Sequence, residues 1–438
     1  MSAFLLMATL LSEQPPVRVL TSDDGGHILA NRNCWSPDGD WLAYDTRTDE
    51  AVFDATSIRR VHTRTGEVQV LHESADPVGV PTYGPDGRIV FLAAPEDADE
   101  DWPYAAWHRH GLLLDPDGTV SNLDAQDFAA PYFHGALRGG THLHTVGPCG
   151  RVASTYEDHV LATSEDPAAA KNLRTVAVTD LGRPVRVSTD HPRNRDGHHT
   201  VVAARVTDDP RPGTDDIGRA FSDAWLPDGR LAFLGRLRTA EGQEFDEIFV
   251  ADFIPGVYPP DVGTKTTRPQ PPVTVHQTRL THIGNEWSAS RGVGGPRFWP
   301  VSNRDGTLIA FYKKGLLGSS RLCVVVADEA YPKAGDWGVG SWRYVTSGDF
   351  PPQSAFTWSP AAPLIALVAD GSVFVVNADT GEETRLTEKA DPGPRHHACV
   401  FSPDGSRIAY MQPVTTDAGT FDQIAVVDLP AALTEGTE

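Results

Sequence analysis

Short runs of alternating apolar and polar residues recur along the whole chain, and turn signals separate them. Pro-Asp-Gly, or a degenerate relative of it, joins two such runs seven times: in the segments starting at Cys34, Thr82, His144, Ala224, Phe298, Phe356 and Val400. Proline presets φ, aspartate caps the turn with its side chain, and glycine accepts φ > 0, so each copy predicts a hairpin. A second marker interleaves with the first. It is an alternating run ending near Leu/Val-Thr, and it occurs in segments starting at Val17, Glu67, Thr119, Pro184, Thr278, Trp342 and Thr384. Four short strands per unit, at a period of roughly 45 residues, predict an all-β chain forming a single seven-bladed β-propeller. The first outer-strand marker precedes the first turn, and the last unit ends on its third strand, from Gln423. The strand near Val17–Leu20 is therefore expected to complete the last blade and close the ring. The expected limits are an N-terminal extension over 1–16, the propeller over 17–430 and a tail over 431–438.

The spacing of the turns is uneven. Pro37 to Pro85 is 48 residues and Pro360 to Pro403 is 43, but Pro148 to Pro227 is 79. The added length falls in a loop from about His191 to Asp223, with a further insertion from about Glu96 to Gly111. Long loops in a compact fold are usually functional or disordered.

Composition narrows the function classes. The 438 residues include 59 Asp+Glu and 37 Lys+Arg, a net charge of −22. That surface repels phosphate and argues against nucleic acid. Four scattered cysteines (Cys34, Cys149, Cys323, Cys399) form no CxxC and read as buried thiols. The apolar run Ala3–Leu11 has no Lys or Arg before it and is too short to span a bilayer, so a cytoplasmic protein without membrane association is expected. There is no P-loop, GxSxG, HExxH or GxGxxG element.

Of 16 histidines, ten fall where an outer strand is expected to lead into the next inner strand: His27, His134, His142, His144, His191, His198, His199, His282, His396 and His397. In a propeller these connections meet at the mouth of the central channel. His142 and His144 alternate in "THLH", and side chains two apart on a strand share a face. A divalent metal on that pair, with His199 or His198 as a third ligand, is one reading. Imidazoles hydrogen-bonded within the channel wall are the other. Arg138 is a candidate fork for a ligand carboxylate, or else a partner for one of the many Asp and Glu. "DWPYAAWHRHG" places Arg109 among aromatics suited to stacking on a sugar, or to a local core. Asn31, Asn33 and Gln353 add polar groups in the same kind of connection.

"GHILANRNCWSPDGDWLAYDTR", "LRGGTHLHTVGPCGRVASTYEDHV" and "QSAFTWSP" resemble a bacterial family of TolB-like propellers, the YidR type, over nearly the whole chain. The likeness takes in the segments of His27, Asn31, Asn33, Arg138, His142, His144, Asp158, His159, His191 and His199, whereas His396 and His397 depart from it. More distantly the chain is similar to oligogalacturonate lyases, seven-bladed propellers that hold manganese with histidines and a glutamine beside a histidine base. Their HxHP element resembles "THLHTVGP", with the turn proline displaced by one residue.

The resemblance implies a metal-assisted β-eliminating lyase acting on acidic, uronate-type oligosaccharides. Manganese would sit on His142, His144 and His199, His27 or His191 would serve as base, and Arg138 would neutralise the carboxylate. Asn31, Asn33, Arg109 and Gln353 would bind substrate. The alternative expectation is a non-catalytic TolB-like propeller holding a protein or peptide partner.

Overall fold

The structure is a computed structural model that describes residues 9–10, 14–252, 261–283, 292–315, 318–331, 337–397 and 399–433. Seven sheets follow one another along the chain, and the fold is a seven-bladed β-propeller. The chain divides into two compact units, Met1–Glu73 with Leu280–Glu438, and Ser74–Arg279.

The first unit holds four blades. Blade 1 comprises Ile28–Leu29, Trp41–Asp45, Ser57–His62 and Val68–Glu73. Blade 5 comprises Leu308–Lys314, Ser320–Val326 and Trp342–Tyr344, with its inner edge marked by the bridge Ser302–Ile309. Blade 6 comprises Thr357–Trp358, Leu364–Ala369, Ser372–Asn377 and Glu383–Arg385. Blade 7 comprises Val400–Phe401, Arg407–Thr416 and Gly419–Asp428, completed by Val17–Val19 from the other end of the chain. Val17 pairs with Val427 and Val19 with Ala425, antiparallel.

The second unit holds three blades. Blade 2 comprises Val78–Tyr83, Ile89–Ala93, His110–Leu114 and Val120–Asn122. Blade 3 comprises Gly139–Val146, Arg151–Asp158, Thr175–Val185 and Gly197–Val202. Blade 4 comprises Arg219–Trp225, Leu231–Arg238, Glu244–Asp252 and His276–Arg279.

The Pro-Asp-Gly segments turn between first and second strands as their chemistry dictates. Asp38 Oδ1 accepts from Ser36 Oγ at 2.5 Å and from the Asp40 N–H at 3.0 Å, and Gly39 sits at φ +72°. Ser402, Asp404 and Gly405 repeat that geometry in blade 7. Central strands such as Ile89–Ala93 and Leu364–Ala369 are buried throughout, so they read as unbroken apolar runs. Side chains also tie neighbouring blades within each unit. Trp35 Nε1 donates to the Val400 carbonyl at 2.9 Å, and Trp225 Nε1 to that of Thr145 at 3.0 Å. Thr82 and Thr357 do the same with Oγ1, to His144 O and Cys399 O. Cys34, Cys323 and Cys399 are buried free thiols.

Two elements differ from expectation. Thr9–Leu10, within the expected extension, adds a parallel fifth strand to blade 6 beside Glu383–Arg385. The marker at Pro184 is the end of the long third strand of blade 3, Thr175–Val185, and the outer strand is Gly197–Val202. His198 and His199 therefore lie on that outer strand rather than in a connection, and His142 and His144 lie on the inner strand of the same blade.

The inner strands of blades 2, 3 and 4 share a further feature. Each carries a register shift at a non-glycine residue with positive φ: Val80 (+56°), Leu143 (+59°) and Ser222 (+55°). This is a β-bulge, in which two residues of one strand oppose one of its partner.

Candidate functional site

The first unit holds four of the expected site residues, and each is engaged or peripheral. His27 has both ring nitrogens taken, Nε2 by the Asp23 carboxylate at 2.6 Å and Nδ1 by the Asp422 carbonyl at 2.9 Å. Neither nitrogen is free to take a substrate proton. Gln353 Oε1 accepts from the Gly371 N–H at 2.9 Å and so braces a turn of blade 6. Asn31 is half-buried, and Asn33 is exposed at φ +52°.

The remaining candidates are in the second unit, and there the bulge at Leu143 undoes the His142–His144 pairing. His144 Nε2 lies 3.0 Å from Thr141 Oγ1, and a side chain on Gly111 in blade 2 would run into the same imidazole. Thr141 and His144 therefore share the face toward blade 2. Successive strand residues point to opposite faces. His142 thus looks the other way, beside its ladder partner Thr155, whose Oγ1 donates to Asp223 of blade 4 at 3.5 Å. His199 is on the far edge of the same sheet. With two strands between, it is roughly 14 Å from the inner strand. One ion cannot bind all three. Among the described residues, no group of three or more His, Cys, Asp or Glu side chains is placed to hold a metal. The expected ligands do not fit manganese.

Arg138 is likewise committed. It is fully buried, with Nε on Asp158 Oδ2 at 2.8 Å and its terminal nitrogens on the Thr264 and Thr267 carbonyls. Burial pushes Asp158 upward more strongly than Arg138 pulls it down. Arg109 donates to Tyr104 Oη and stacks on that ring, near the surface.

The residues that do come together include His191, expected as a base, and Trp102 and His108 of the aromatic stretch, but their grouping with Phe128 and His159 is not one the sequence reading made. His108, from the Ala106–His108 turn, stacks on Trp102 with ring centroids 3.9 Å apart. His159 opens the short helix after Arg151–Asp158, a helix capped by Asp158. His191 lies in the connection between Thr175–Val185 and Gly197–Val202. His159 and His191 both pack on Trp102 and Phe128, at centroid distances of 4.5 to 5.7 Å. The hydrogen bonds set the tautomers. His108 Nδ1 faces the Pro103 carbonyl at 2.6 Å and so carries a proton. His108 Nε2 is then an acceptor, and His159 Nδ1–H donates to it at 2.9 Å. His159 Nε2 is left as a lone pair, with no partner among the described residues. His191 Nδ1 accepts the Arg193 N–H at 3.1 Å, so its Nε2 carries the proton.

A lone-pair imidazole and an N–H imidazole thus flank the same two aromatic rings. Burial, with His108 and His191 nearby, pushes His159 down to about 4. Burial and the Arg193 charge also lower His108 and His191. Arg193 holds its guanidinium 5.8 Å from the Trp102 centroid, donates to the Glu96 and Asp97 carbonyls and pairs with the Asp99 carboxylate at 3.3 Å.

A second polar cluster is buried in the same unit. Asp124 Oδ1 accepts from the Gly111 N–H at 2.9 Å and from Thr141 Oγ1 at 3.0 Å, while Oδ2 has no partner among the described residues. Since the Thr141 hydroxyl proton points to Asp124, His144 donates from Nε2, and its Nδ1 lone pair is unpartnered. His110 is fully buried, and neither of its nitrogens hydrogen-bonds among the described residues. Burial drives Asp124 up to about 6 and His144 down to about 3. Burial, then the Arg195 charge and His144, holds His110 well below its usual value.

A curated relative, described as "Uncharacterized protein YidR" from Escherichia coli (strain K12), is 36% identical over 416 residues, which is 92% of this chain and 96% of that protein. The chain belongs to the YidR family. A family profile described as "Protein of unknown function (DUF3748)" matches residues 77–195. Among solved structures, a putative TolB from Agrobacterium tumefaciens is similar at 14% identity and TM-score 0.40, over 85% of this chain and 98% of that one. YCF48 from Cyanidioschyzon merolae is similar at 10% identity and TM-score 0.47, over 95% and 99%. The stretch that the profile matches contains every member of both clusters in this YidR-family chain, from Trp102 to Arg195.

Proposed function

We propose that the protein is a carbohydrate-active propeller that binds an acidic sugar oligomer against Trp102, Phe128, His159 and His191, and opens it by β-elimination. The observation that carries this reading is the pair of imidazoles in opposite hydrogen-bonding states on one aromatic wall. Elimination next to a uronate carboxylate requires a group to accept the α-proton and another to donate to the departing oxygen. His159 Nε2 is the acceptor, oriented by His108 as a base is oriented by a third group. His191 Nε2–H is the donor. The positive charge beside them is Arg193, which lowers both His108 and His191 and is shared with Asp99 at 3.3 Å. Within a chain of net charge −22, that charge favours a ligand carboxylate.

The test is ultraviolet absorbance of the unsaturated product on galacturonate and glucuronate oligomers, with calorimetric binding in parallel. His159→Ala and His191→Ala should each lower the rate by about a hundredfold or more. The absence of both binding and product across the panel overturns the reading.

A further inference from the structure

We propose that Asp124 is a proton-driven latch that tightens the connection carrying Phe128 when it takes up a proton, and so regulates the imidazole site; the last part rests on the function proposed above. The segment 123–128 runs from the outer strand of blade 2 to the aromatic wall and is held on three sides. The Leu123 N–H donates to Gly111 O, and Gln126 Nε2 to the Arg109 and Gly139 carbonyls. Gln126 and Arg195 exchange two backbone hydrogen bonds, and Asn194 Nδ2 donates to Asp127 Oδ1 at 2.9 Å. Asp124 sits at the centre of this clasp, 1% exposed, with one carboxylate oxygen unpartnered.

The groups around Asp124 come from three elements. The Gly111 N–H and His110 come from blade 2, and Thr141 and His144 from the inner strand of blade 3. Arg195 and His198 come from the segment entering its outer strand, with Glu96 3.1 Å from Arg195 and 4.0 Å from His110. Among the described residues no cation pairs with the carboxylate; the Arg195 charge is the smallest of the influences that lower it. Ionised, Asp124 leaves a buried charge with an unused oxygen, which low-dielectric surroundings penalise. Protonated, it sheds that charge and can donate from the oxygen that is otherwise unused. Both deficits shrink in one step.

The sign follows from linkage. A carboxylate that binds its proton more tightly folded than unfolded stabilises the fold as pH falls through its folded value, about 6. Above that value it costs stability. Asp124→Asn keeps an acceptor for Gly111 and Thr141 and supplies the donor permanently. The full-length variant should therefore exceed the wild type in unfolding midpoint at about pH 7.5, with the gap closing toward about pH 5. Hydrogen exchange, corrected for intrinsic rate, should show residues 123–128 and 194–198 gaining protection as pH falls in the wild type and not in the variant. Thr141→Val is the second variant; losing a donor to Oδ1, it should move the wild-type transition to higher pH. A variant-minus-wild-type difference that is constant with pH, or protection that ignores pH, overturns the latch. Neither readout uses a sugar, so the latch can stand where the carbohydrate reading fails. With binding established, affinity should rise about threefold or more from pH 7.5 to pH 5.5 in the wild type alone.

Discussion

Arg138 shows how far a side chain's neighbours decide its role. In the sequence it is an arginine before two glycines, suited to grip a carboxylate. In the fold its guanidinium holds Asp158 and two carbonyls of the 264–267 segment. Removing one partner of a buried pair strands the other, which costs about 3–5 kcal/mol. Arg138→Ala should thus lower the unfolding free energy by that order in denaturant titrations, and the same loss should appear with no sugar present. His159 is the opposite case. The resemblance takes in "YEDHV" but assigns His159 no role, because its significance lies in His108, 51 residues earlier, which fixes its proton. Neither residue's role depends on local sequence, so no local motif could have disclosed it.

At the scale of elements, the turns and strands were legible because their causes are local. Pro, Asp and Gly each do one job at fixed offsets, and all seven segments turn between first and second strands. The failures were also physical. The Pro184 run looked like an outer strand because it alternates and ends near threonine, yet Thr175–Val185 is one strand of 11 residues with a shift between Asp180 and Pro184. The bulges were invisible because Val80, Leu143 and Ser222 are not residues that advertise positive φ. Blade-to-blade ties give an element-scale test. Trp225→Phe keeps an aromatic ring but deletes the bond to the Thr145 carbonyl and trims the indole. A loss of about 1–3 kcal/mol is expected from equilibrium unfolding. Gly111→Ala should be comparably harmful. Its Cβ would come within 2.6 Å of Leu123 Cδ2 and 2.7 Å of His144 Nε2, and overpacking of that kind costs about 1–3 kcal/mol.

For the whole molecule, the ends of the chain and the buried histidines set the conditions of stability. Val17–Val19 supplies the fourth strand of blade 7, so a chain truncated before residue 20 exposes the edge at Ala425–Val427. Such a truncation should lower the unfolding temperature and promote association, as seen in light scattering. Acid acts through the imidazoles. His144, driven by burial to about 3, stays neutral in the fold while the unfolded chain takes up protons below about 6.5. Stability is therefore lost as pH falls from about 6.5 toward 3, at up to about 1.4 kcal/mol per unit for this residue. His159 acts in the same direction over a shorter window, and Asp124 opposes both near pH 6. The wild type should weaken overall on acidification, and His144→Gln should flatten the slope below about pH 6.

The bulge at Leu143 also sets a rule for anyone writing new chemistry into this strand. Its ladder skips a residue, so His142 and His144 occupy successive rungs, while Thr141 and His144 occupy one side. The spelling for two imidazoles on one face here is H-x-x-H rather than H-x-H. A metal pair engineered into blade 3 would start from Thr141→His and leave His142 alone.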